Sequence, residues 1–87
     1  MILKFIEKNI NSLSKNDIKN IAKNENVILN DKEIDIIYFY IKNEYKTLLY
    51  GDSDSIFNDL KSRINPTSYN QIKDLFDFYK NKYQNYL

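Results

Sequence analysis

An apolar residue, a capping residue and a second apolar residue four positions beyond the cap recur three times in this chain. Leu13-Ser14 leads to Ile18, Leu29-Asn30 to Ile34, and Ile64-Asn65 to Tyr69. Each cap side chain can accept a backbone N–H of a first helical turn, and each flanking apolar pair can close as a hydrophobic staple. Asp17 and Glu33 stand at the third helical position of the first two starts, where a carboxylate completes a capping box, and Glu33 is the better placed by type. Pro66 stands at the first helical position of the third, where its missing N–H costs nothing. Gly51 is the only glycine and Pro66 the only proline, which leaves little material for hairpins or flexible linkers.

The spacing predicts five helices in one all-α domain spanning 1–87. The first covers about 2–11, with Ile2, Leu3, Ile6 and Ile10 on one face. The second covers about 15–25 and offers Ile18, Ile21 and Ala22. The third covers about 31–50 and stops at Gly51, a candidate left-handed cap. The fourth covers about 53–63 behind a cap at Asp52 or Ser53, with Ile56, Phe57 and Leu60 inward. The fifth covers about 66–85, with Ile72, Leu75, Phe76, Tyr79 and Tyr83 at helical spacing. Val27-Ile28-Leu29 reads as an extended, buried plug between the second and third helices. The architecture expected is a compact bundle around a long central third helix.

That third helix contains Ile36-Ile37-Tyr38-Phe39-Tyr40-Ile41, a run that β-propensity alone would make a strand. The cap at Asn30 and the distance to Gly51 define an element far longer than a typical strand, so helix is predicted. On a helical projection Ile34, Ile37, Tyr38, Ile41, Tyr45 and Leu48 form one stripe. Ile36, Tyr40, Thr47 and Tyr50 form a second stripe nearly opposite. Two readings follow: a central helix wrapped by the others, as helices apolar all round are buried, or a second stripe that meets a partner or a second copy. Tyrosine suits such contacts because one end is apolar and the other polar. Ile36, Tyr40, Thr47, Tyr50 and, on the fifth helix, Phe78 are therefore the candidate partner surface.

Composition narrows the chemistry. An apolar share of 43% suits a folded domain. With no cysteine and no histidine, thiolate nucleophiles, thiolate zinc sites and the commonest general base are all missing. There is no Gly-rich phosphate loop, nucleophile elbow or HExxH, so no enzyme, metal site or cofactor is expected. Asp52-Ser53-Asp54-Ser55 resembles the start of a calcium loop, but Phe57 and Arg63 stand where that loop needs Gly and Glu. An acidic helix N-terminus accounts for it. Lys4, Glu7 and Lys8 break up the apolar start, so no signal peptide or membrane span is predicted, and the cytoplasm is expected.

Net charge is +1, too small for a long-range nucleic-acid field. Lys15, Lys19 and Lys23 line one face of the second helix and are the candidate phosphate contacts of a nucleic-acid accessory protein. A solvated face explains them better, because Asp17 and Glu25 are near and the chain is Lys-rich throughout, Ile, Asn and Lys making up 38 of the 87 residues. These residues share A/T-rich codons, as in an A/T-rich bacterium, phage or parasite. The tyrosines of the fifth helix, Tyr69, Tyr79, Tyr83 and Tyr86, could stack on nucleobases, but their spacing suits a core face and its edge.

The stretch Asn11-Ser12-Leu13-Ser14-Lys15-Asn16-Asp17, the Ala22-Lys23 pair, Val27-Ile28-Leu29-Asn30, Ile56-Phe57-Asn58-Asp59-Leu60 and Asn65-Pro66 together resemble the YqfT-like family of small uncharacterised Bacilli proteins. The resemblance covers Asn11 to about Tyr83 and departs at Tyr38-Phe39-Tyr40, where that family is more aliphatic. It implies an all-α cytoplasmic protein and carries over no catalytic residue. Leu13, Ile18, Ile21, Ala22 and Val27 also resemble the helix–extended-loop–helix of the SAP-like DNA-binding module, though the helix that follows here is too long. The function expected is a non-enzymatic helical protein-interaction module that meets a protein partner or a second copy. A nucleic-acid accessory protein and a phage-encoded inhibitor of a host protein are the alternatives.

Overall fold

A computed structural model of the chain describes residues 8–83, with side chains described through Asn81. Among these residues every regular element is helical. They are α1, whose described part is 8–12; α2, Lys15–Asn24; α3, Asp31–Tyr50; α4, Ser53–Lys61; and α5, Pro66–Tyr83. Expectations for Ile2, Leu3, Ile6, Tyr86 and the Tyr83 side chain fall outside the described residues.

Helix starts follow the caps. Ser14 Oγ accepts the Asp17 N–H at 3.1 Å, and the Asp17 carboxylate accepts the Ser14 N–H at 2.9 Å. Asn30 and Glu33 repeat this exchange at 2.8 and 3.0 Å. Asn65 Oδ1 accepts the N–H of Thr67 at 2.8 Å, and Asp52 caps α4 by accepting that of Ser55 at 3.3 Å. Each cap contributes on the order of 1 kcal/mol by satisfying an otherwise orphan donor.

Helix ends needed more than local chemistry. Gly51 is not left-handed: its φ of −115° and ψ of −150° are extended backbone open to any residue. Its value is lack of bulk, since a Cβ there would come 3.2 Å from Thr47 Cα. α4 stops at Lys61, two residues sooner than expected, because Ser62 and Arg63 donate to Asp59 and Leu60 in tighter three-residue turns. The following Ile64 is then buried.

α3 packs against α2 on one side and α4 on the other, while α5 packs on α4. Phe57, Leu60 and Ile64 form a buried cluster, onto which Ile36, Ile37, Tyr40 and Leu48 pack from α3 and Tyr69, Ile72 and Phe76 from α5. The Phe57 ring lies 4.9 Å from that of Phe76 and edge-on to Tyr69 at 6.2 Å. Burying a side chain of this size contributes roughly 1.5–3 kcal/mol. On the α2 side Ile18, Ala22, Val27 and Ile34 are buried. The aromatic run is thus helix, and residues of both stripes of α3, Ile37 and Leu48 from one and Ile36 and Tyr40 from the other, pack on the α4 cluster. α3 bends at Glu44, whose φ of −123° and ψ of 16° are not helical. The preceding residue, Asn43, donates through Nδ2 to the Phe39 carbonyl one turn back at 3.0 Å, a side-chain bond that competes with the helix ladder.

Candidate functional site

The joint between α2 and α3 is built by a Schellman motif. The Val27 N–H donates to the Ala22 carbonyl at 2.8 Å and the Asn26 N–H to that of Lys23 at 3.2 Å. This pairing requires a left-handed residue, and Asn26 supplies it at φ 59°. The turn sends Val27 inward, where it is buried with Ala22. Burial then alternates: Ile28 is 84% exposed and Leu29 half-buried, before Asn30 caps α3. The buried plug expected at 27–29 is corrected at Ile28, whose side chain stands out of the fold.

The joint is also fastened from a distance. Buried Ser68 donates its hydroxyl to the Ile28 carbonyl at 2.6 Å, and Gln71 Nε2 donates to that of Asn26 at 3.3 Å. Both come from the first turns of α5. Glu33 holds α5 in place, its carboxylate accepting the N–H of Asn30 and, at 2.7 Å, that of Asn65. A large apolar side chain therefore projects from a backbone with two remote anchors.

Beside Ile28 lies an open groove of about 440 Å³. Ala22, Val27 and Ile34 form its floor, and Lys19 and Lys23 stand at its edge. Ile21, expected with the inward residues of α2, is 55% exposed instead. Ile21 and Ile28 escaped the sequence reading. Asn26 was the available signal: an asparagine just past the last helical residue marks a left-handed cap.

The candidate partner surface on α3 is divided by the fold. Ile36 and Tyr40, on the stripe that could be either core or partner surface, are half-buried because the α4 cluster packs against them. Thr47 is half-buried, with its hydroxyl 3.5 Å from the Glu44 carboxylate. Tyr50 and Phe78 are exposed, and Phe78 meets Tyr79 edge-to-face at 5.3 Å. These five residues do not form one accessible patch. Tyr69 sits against the core cluster, and Tyr79 is exposed.

Of the candidate phosphate contacts, Lys15 pairs with Asp35 at 3.0 Å and Lys19 with Asp31 at 3.1 Å. The lysine row is largely an exposed ladder of ion pairs between α2 and α3. Elsewhere, Lys73 is held above the ordinary lysine range by its hydrogen bond to Asp77 and lies 5.1 Å from the Phe57 ring centre. Among the described residues no cluster of carboxylates could hold a metal ion, and no helix is long and apolar enough to cross a membrane.

Comparison with protein-family models, with curated proteins and with solved structures finds no match to this chain.

Proposed function

We propose that this chain is a non-enzymatic protein-interaction module whose contact face is the α2–α3 joint. One observation carries the reading: Ile28 is 84% exposed on a backbone tied down by Ser68 and Gln71. Exposing a large apolar side chain forgoes roughly 1.5–3 kcal/mol of burial. A mobile loop could fold it away, but a fastened one cannot. The adjacent groove, floored by Ala22, Val27 and Ile34, extends the apolar contact. The ion pairs of Lys15 and Lys19 make a phosphate-binding face the weaker reading, because the carboxylates offset the charge that phosphates would meet. The cysteine-free composition suits work in the cytoplasm.

A photoreactive amino acid placed at position 28, in the cell that makes the protein, tests this. The expected result is a discrete protein adduct that is suppressed by excess wild-type chain but not by the Ile28→Asp chain. The same group at Lys61, exposed on α4, should give no such adduct. A nuclease-sensitive adduct, or no difference between the two positions, would count against the proposal.

A further inference from the structure

Resting on that reading, we infer that the groove beside Ile28 takes a short extended segment of another protein, with an apolar anchor flanked by acidic residues. Size sets the first limit. A groove of about 440 Å³ lies at the small end of the range for ligand sites and suits an anchor of one or two side chains.

Charge sets the second. The ionisable residues at the groove are Lys19 and Lys23. Lys19 shares its charge with Asp31, whereas Lys23 has no carboxylate partner among the described residues. Carboxylates beside the anchor would supply one.

The backbone sets the third. The N–H groups of Ile28 and Leu29 hydrogen-bond to nothing among the described residues. Successive N–H groups of an extended backbone point to opposite sides, so an extended segment laid along 27–29 can take one of these two donors.

A second copy is the poorer occupant. A stable interface buries about 800 Å² per partner, and at the groove only Ile28 offers a large exposed apolar side chain. A two-fold contact centred on Ile28 would also bring Lys23 of both copies to one seam.

The test selects random short peptides, displayed on phage, against the folded full-length chain. Winners are then titrated by fluorescence anisotropy. The expected winners carry an apolar residue with acidic neighbours. Ile28→Asp and Lys23→Glu should each weaken them on the order of tenfold, the second effect shrinking as salt rises, while Lys61→Glu changes nothing. Both key positions are exposed, so folding should survive, and far-UV circular dichroism checks it. Neutral or basic winners that still need Ile28 would overturn the acidic partner yet leave the contact face standing. Winners indifferent to Ile28, or no winners, would overturn this inference, and the position-28 adduct then decides the broader reading separately. A concentration-dependent dimer abolished by Ile28→Asp would make the occupant a second copy and also overturn it.

Discussion

The Glu33 carboxylate accepts the backbone N–H of Asn65 at 2.7 Å across 32 positions of chain, while its other oxygen accepts the Asn30 N–H at 3.0 Å. One buried side chain thus closes the start of α3 and the approach to α5 together. Glu33→Ala leaves both donors without their acceptor and should destabilise the fold by about 2–3 kcal/mol. Asp17→Ala, which opens the exposed capping box of α2, should cost less than about 1 kcal/mol. Urea unfolding checks both: the midpoint falls much further for Glu33, with the slope unchanged.

Asn26 holds the left-handed position that the Schellman bonds require. Asn26→Ala should destabilise by roughly 1 kcal/mol because a Cβ is disfavoured there, while Asn26→Gly should be close to neutral. Equal losses in thermal unfolding would mean that the asparagine side chain matters rather than its backbone angle.

Val27 and Ile28 are adjacent and of similar type but opposite in role. Val27→Ala should cost about 2 kcal/mol through lost burial and the space left behind. Ile28→Ser should stay within about 0.5 kcal/mol of the parent, since the side chain is exposed. Similar losses from both, in denaturant titrations, would contradict the separation of fold from contact face.

The bend in α3 makes a different prediction. Asn43→Ala removes the side chain that competes for the Phe39 carbonyl and raises helix propensity. It should stabilise the chain by about 0.5 kcal/mol, and helical Cα chemical shifts should strengthen through Glu44. Unchanged shifts there would place the cause of the bend elsewhere.

Helix starts were legible because caps are local. Ser14, Asn30 and Asn65 bond to residues two or three positions away, so a short window of sequence contains the whole interaction. The helical nature of 36–41 was legible for the same reason, through Asn30. The contact face was not. Whether Ile28 lies in or out depends on the hand of Asn26 and on Ser68, which is 40 positions away. Ile36 and Tyr40 stayed open between core and contact surface for the matching reason: a stripe on a projection does not say whether α4 will cover it. Gly51 shows the limit of reading a residue type alone, because its small size matters there and its freedom of angle does not.

Everything proposed for this chain depends on Ile28 standing out from a fixed backbone. Amide ¹⁵N relaxation measures this directly. The Ile28 order parameter should match the rigid value of about 0.85 found in helices and fall when Ser68→Ala removes the anchor. A value below about 0.6 in the wild-type chain would contradict it, since a mobile Ile28 is only a loop residue.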